Sequence, residues 1–228
     1  MIRLFVKEDL GKGIIFLSPQ HVHYLHNVMR LKAGSWIEVF NGRDGGWKAI
    51  CLEKTNKQLD VVESFADQPV ALPALHLYIS LFKRLDWALE KSTELGITHI
   101  HPIITQYSSV HRFNKDRSER IVQEAAEQSG RYTVPDILPV VLFEKALSSV
   151  SGGWVAHKDL FERKHDTKQS SDFFHNNLWI GPEGGWSPHE IKMFQNHSEI
   201  RPVCLNSLCL RSETAVVVGL TALKYISV

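Results

Sequence analysis

The chain has 228 residues, 43% of them hydrophobic and 22% charged, and a formal net charge of +1. This is the composition of a globular protein with one large domain or two small ones. No apolar run is long enough to cross a membrane, and Lys and Arg are interleaved with Asp and Glu, so the composition shows neither a membrane span nor a basic footprint for nucleic acid.

The first residues, MIRLFVKEDL, carry charges where a secretory signal needs an apolar core, so a cytoplasmic location is expected. Ser18 and Pro19 predict a helix from Pro19 to about Met29 with Ser18 as its cap. His21, His23 and His26 lie close together in it, but without a second ligand cluster at zinc spacing they are expected on the helix surface, and no metal is expected. Ser35 to Phe40 alternates in polarity, Asn41-Gly42 marks a turn, and Gly46 to Glu53 and Gln58 to Phe65 read as further strands. These residues form a small β-rich, barrel-like module. Pro69 and Pro73 stand in a stretch of little periodicity, as in a linker, which predicts one domain over residues 1–70 and a second over 71–228.

Beyond the linker, strands alternate with helices. Leu75 to Phe82 is a strand, Trp87 to Leu95 a helix ended by Gly96, Thr98 to Thr105 a strand and Arg117 to Ser129 a helix. Further strands are expected near Ile137, at Trp154 to His157, at Leu178 to Ile180 and at Val203 to Leu205, the last two each leading into a helix. The pattern predicts an α/β layer with a largely parallel sheet, whose ligands would bind at the carboxyl ends of the strands.

Two such ends carry unusual loops. The first, IGPEGGWSPHEI from Ile180 to Ile191, joins an apolar strand to a helix opened by Ser187, Pro188 and Glu190, an N-cap, an N1 proline and a capping-box carboxylate. Its glycines permit positive φ and close approach of backbone to a ligand, although an unliganded tight turn fits the same residues. The second, Val203 to Ala215, passes through Leu205, Leu208 and Leu210 and ends at Arg211, with Ser212 or Thr214 as a possible cap. It is expected to turn away from solvent and to form an apolar slot able to read a flat ring, or else a buried crossing segment. Val216, Leu220, Leu223 and Ile226 or Ser227 follow at roughly helical spacing and predict a final helix packed on the core.

Three cysteines, Cys51, Cys204 and Cys209, fit unpaired thiols rather than a disulfide framework. There is no G-x-x-x-x-G-K-[ST] and no G-x-G-x-x-G after the first strand of the second domain, so neither a P-loop nor a dinucleotide fingerprint is present. The one charge in GPEGG is the carboxylate of Glu183, which suits a neutral or cationic ligand.

The GPEGG loop with SPHEI after it, LNSLCLRSETA from Leu205 to Ala215, EKSTELG from Glu90 to Gly96 and EAAEQSGR from Glu124 to Arg131 together resemble the RsmE-type ribosomal RNA methyltransferases of bacteria over nearly the whole chain. The resemblance implies a SPOUT-type α/β domain with a trefoil-knotted, mostly parallel sheet flanked by helices, and a smaller N-terminal PUA-like β-barrel that binds RNA. It implies a homodimer that uses S-adenosylmethionine to methylate N3 of a specific uridine in 16S ribosomal RNA of the small subunit. The alternative on the same fold is a non-catalytic RNA-binding assembly factor, and a small-molecule enzyme binding a nucleotide at GPEGG is a third reading.

Carried onto this sequence, the cofactor loop falls on Ile180, Gly181, Pro182, Glu183, Gly184 and Gly185, and the knot loop on Leu205 through Arg211, with Leu205, Asn206, Leu208 and Leu210 as its cofactor contacts. Asn206 stands where the family usually has glycine, and asparagine tolerates the left-handed region that such a position would need. Arg211 is expected to stabilise charge on the uracil carbonyls or to hold a phosphate, with an ion pair to Glu213 or to a partner subunit as the alternative. Glu127, Gln128 and Arg131 are further candidates for substrate contact, and Arg3, Arg30 and Lys32 for RNA phosphates.

Overall fold

A computed structural model describes residues 1–53, 57–71, 73–157 and 176–225. Two compact units divide the chain: Met1–Ala71 together with Ala126–Val134, and Leu72–Ala125 together with Pro135–Val228. The stretch 126–134 thus packs with the first unit, whereas the sequence placed everything after residue 70 in the second.

The first unit contains β1 (Arg3–Phe5), β2 (Gly13–Phe16), α1 (Pro19–His23), β3 (Trp36–Phe40), β4 (Gly46–Cys51) and β5 (Gln58–Ala66). Their sheet runs β1-β3-β4-β5-β2, antiparallel except for the β1–β3 pair. Alternation puts Ile37, Val39, Ala49, Cys51, Leu59 and Val61 inward, onto Leu4, Val22 and Leu25. Ser18 caps α1, its hydroxyl accepting the His21 N–H at 3.2 Å. The α-helix is shorter than the predicted one: after His23 the chain widens into a π turn over Tyr24–Val28, and Arg30 follows at φ +55°.

Arg3 is held inside this unit. Its side chain pairs with Glu38 at 3.2 Å, donates to the Arg131 carbonyl at 3.0 Å and lies over the rings of Phe40 and Tyr132. Glu127, buried near the end of the helix Lys115–Ser129, accepts the Phe5 N–H at 2.9 Å. These contacts explain why residues 126–134 belong with the barrel.

The second unit begins with β6 (His76–Ser80), α2 (Leu85–Glu94) and β7 (His99–Ile104), followed by α3 (Lys115–Ser129), which ends in the first unit. Then come β8 (Asp136–Ile137), β9 (Val141–Leu142), α4 (Phe143–Ser149), β10 (Gly153–Ala156), β11 (Asn177–Ile180), α5 (Pro188–Asn196), β12 (Ile200–Val203) and α6 (Ser212–Tyr225). The sheet order is β12-β10-β11-β6-β7-β8, with β9 also on β7, and every pair is parallel. One face carries α4 and α5, with Trp179 and Tyr78 packed on Phe143 and Phe194; on the other, α6 lies on β11, Gly219 allowing its backbone to approach Leu178, and packs on α2.

The ends of the helices follow from local chemistry. Gly96, at φ +92°, donates to the Thr93 carbonyl while Ile97 donates to that of Ser92, the two bonds of a Schellman stop at the predicted glycine. At α5 both bonds of the Ser187–Glu190 capping box are present. The last strand ends at Val203, two residues earlier than expected, which frees Cys204 and Leu205 for the following loop. Val216 and Leu220 are buried as predicted, and Ile226 and Ser227 lie outside the described residues.

Candidate active site

Adjacent strands β10, β11 and β12 end side by side, and the segments that follow them enclose a pocket of about 340 Å³. Ala156 and His157 come from the first, Ile180 to Glu183 with Gly185 and Trp186 from the second, and Leu205, Asn206 and Leu208 to Ser212 from the third, with Ala215 of α6. A volume of this order suits a cofactor-sized ligand.

The first wall is a turn. The Gly185 N–H donates to the Pro182 carbonyl at 2.9 Å, and Gly185 stands at φ +73°, where a side chain would be strained. Trp186 is buried, its indole N–H reaching the Ala156 carbonyl at 3.3 Å. A β-carbon on Gly181 would come to 3.0 Å from that indole, so any side chain there would press on the ring. Gly184 is the one residue of the turn that does not line the pocket. It faces Tyr107 instead, where a β-carbon would stand 3.1 Å from the tyrosine Cβ.

Glu183 ties this turn to two other strand ends. Its carboxylate accepts the Ser109 hydroxyl at 3.0 Å and the Lys83 N–H at 3.4 Å, so it organises loops in addition to lining the pocket.

The second wall corrects two expectations. The loop is exposed, not turned from solvent: Leu208 is 72% accessible, and only Leu205 and Leu210 are partly covered. Asn206 does not use the left-handed region. Its side-chain oxygen accepts the Leu208 N–H at 2.9 Å and the Ser207 hydroxyl at 3.4 Å, while its carbonyl accepts the Cys204 thiol at 3.2 Å. Asparagine closes this turn with its side chain, a stabilisation glycine cannot provide.

Arg211 lines the pocket immediately before the first turn of α6. The alternative of an ion pair between Arg211 and Glu213 is not realised: Glu213 is buried and takes Arg84, at the start of α2, at 2.9 Å. Among the described residues no carboxylate pairs with Arg211. The structure therefore brings together Ile180, Gly181, Pro182, Glu183, Gly185, Leu205, Asn206, Leu208, Leu210 and Arg211. Arg3, Arg30, Lys32, Glu127 and Arg131 belong to the first unit. Arg30 and Lys32 are exposed there, while burial pulls Arg131 below the usual arginine range. Among the described residues no group of His, Cys, Asp and Glu could hold a metal ion, and no helix is long and apolar enough to cross a membrane.

Sequence reasoning missed Lys83, Arg84, Gln106 and Ser109, which tether the site from β6 and β7. The rule that ligands sit beyond carboxyl ends points to these loops, but no motif distinguishes the residues within them.

Residues 70–224 match the model of an RNA methyltransferase domain, and residues 17–64 that of an RNA methyltransferase PUA domain. The chain belongs to the RNA methyltransferase family. It is 28% identical to the ribosomal RNA small subunit methyltransferase E of Rickettsia conorii, over 97% of this chain and 94% of the relative. The Bacillus subtilis protein of the same name is also 28% identical, over 99% and 96%. Among solved structures, ribosomal RNA small subunit methyltransferase E from Neisseria gonorrhoeae, bound to S-adenosyl methionine, superposes with a TM-score of 0.83 at 27% identity, covering 99% of this chain and 98% of that one. A methyltransferase from Legionella pneumophila in complex with the cofactor SAM gives 0.85 at 25% identity, over 99% and 97%. The PUA match falls on the antiparallel sheet of the first unit and the larger match on the parallel sheet that carries the pocket.

Proposed function

We propose that this RNA methyltransferase uses S-adenosylmethionine to methylate N3 of a specific uridine in 16S ribosomal RNA of the small subunit, as a cytoplasmic homodimer. The observation that carries the reading is the pocket itself, in which the two loops singled out in the sequence meet in a chain whose full-length relatives are small-subunit ribosomal RNA methyltransferases.

The residues fit the cofactor. Ile180, Leu205, Leu210 and Ala215 offer apolar surface for an adenine ring, the backbone of the glycine turn and the leucine loop offers hydrogen-bonding groups beside it, and the glycines leave room for close approach. Bound there, S-adenosylmethionine supplies a methyl group made electrophilic by the sulfonium. Among the described residues, the side chains of this pocket place one carboxylate and one guanidinium at its edge and no lysine, the residue a P-loop sets on the phosphates of a nucleoside triphosphate.

At neutral pH uridine N3 carries a proton and is a weak nucleophile. Arg211 is the group assigned to favour the anionic ring, by hydrogen bonds to the uracil carbonyls that strengthen as the proton leaves. Glu127 and Arg131 support RNA contact by fixing the end of α3 in the PUA-type unit, where Arg30 and Lys32 are offered to phosphates. Asn206, the one residue that favoured a non-catalytic assembly factor, has a constructive role in the loop, and that alternative loses its support.

The test is transfer of a labelled methyl group to small subunits from cells lacking this protein, with mass-spectrometric mapping of the product nucleoside. N3-methyluridine at one position is the expected result. No transfer, together with S-adenosylhomocysteine binding no better than ATP, would overturn the reading.

A further inference from the structure

We infer a second RNA-contacting surface on the catalytic unit, made by Lys83, Arg112 and Tyr107 beyond the carboxyl ends of β6 and β7. It takes a single-stranded segment flanking the target base. This inference rests on the proposed methylation of RNA and adds to the PUA-type contacts.

The two loops contain no carboxylate of their own. Of those that border them, Glu213 takes Arg84 at 2.9 Å and Asp86 takes Arg117 at 2.7 Å, while Glu183 keeps its charge and accepts the neutral Ser109 hydroxyl and Lys83 N–H. Among the described residues no carboxylate pairs with the side chains of Lys83 or Arg112, and both are exposed. An overall charge of +1 conceals this surface, because the acidic residues that balance the chain in sum lie outside these two loops.

The surface is also continuous with the pocket and held by buried bonds. Glu183, a pocket residue, bonds directly to both loops. The β7 loop is fixed at its base by the buried hydroxyls of Ser80, Thr105 and Ser108, mutually bonded at 2.7 to 3.0 Å, and by the Gln106 N–H on the buried Glu190 carboxylate at 2.8 Å. On this base Tyr107 is 43% exposed, with its Cβ against the Gly184 backbone. Cations that have no carboxylate partner among the described residues, on the same two loops as a rigidly based, exposed aromatic ring, form the combination that tracks a single strand, phosphates on the cations and a base on the ring.

The test uses the full chain and unmethylated small-subunit RNA. Lys83→Gln/Arg112→Gln should raise the RNA KM at least tenfold and lower the steepness of log K against log salt by about 1.5, with S-adenosylhomocysteine affinity unchanged. Lys83→Arg should restore the slope at that position. Tyr107→Ala should weaken RNA binding about tenfold, and Tyr107→Phe should restore it. A wild-type chain that methylates RNA while the double variant keeps its KM and salt slope overturns this surface alone. A wild-type chain that transfers no methyl group to any RNA overturns the functional reading and the surface with it.

Discussion

Glu190 holds the Gln106 N–H at 2.8 Å with one carboxylate oxygen and the Ser187 N–H at 2.7 Å with the other. A capping-box residue that the sequence assigns to one helix therefore also joins the ends of two strands. Glu190→Ala would leave the buried Ser187 N–H and the part-buried Gln106 N–H without their acceptor, so a loss of about 1 to 3 kcal/mol is expected. Glu190→Gln keeps one acceptor and should lose about half as much. Urea unfolding at neutral pH measures both, and equal stability of all three proteins would refute the link.

Arg84, not Arg211, neutralises Glu213. Breaking the pair leaves a buried carboxylate uncompensated; because the arginine is itself half exposed, the expected cost of Arg84→Met is about 1 to 2 kcal/mol. A double-mutant cycle separates the two arginines. Coupling with Glu213→Gln should be about 1 kcal/mol for Arg84 and within about 0.3 kcal/mol of zero for Arg211.

Asn206 holds the leucine loop through its side-chain oxygen. Loss of that acceptor in Asn206→Ala removes about 1 kcal/mol of loop stabilisation, and S-adenosylhomocysteine affinity should fall about fivefold by calorimetry. Asn206→Asp retains the acceptor and should bind nearly as the wild type does. Undiminished affinity of the alanine variant would show that the turn does not support the pocket.

His101 lies in a ring stack with Tyr78, Trp179, His76 and His99 across β11, β6 and β7. Burial, reinforced by His76 and His99, pulls its pKa from 6.5 to about 4, and burial and His99 lower that of His76. Between those two values the unfolded chain takes up a proton at His101 that the folded chain refuses. Stability is thus complete above about pH 6.5 and falls as the pH drops toward 4, by about 2 kcal/mol after allowing for partial solvent screening. His101→Phe should lose less stability than the wild type between pH 7 and pH 4.5 in urea titrations.

Most of the strands and helices, though not β2, β9 or α4, and the two loops were legible because they depend on local chemistry. Alternation, the Ser187–Glu190 box and Gly96 at the end of α2 act over a few residues, and each appears in the fold where the sequence puts it. The order of strands in the sheet, the attachment of residues 126–134 to the first unit and the arginine chosen by Glu213 were not legible. Each joins groups far apart in the chain, as in the 129-residue separation of Arg84 and Glu213. Such a choice is made by which side chains converge once hydrophobic faces are buried, and no local pattern of residues records it.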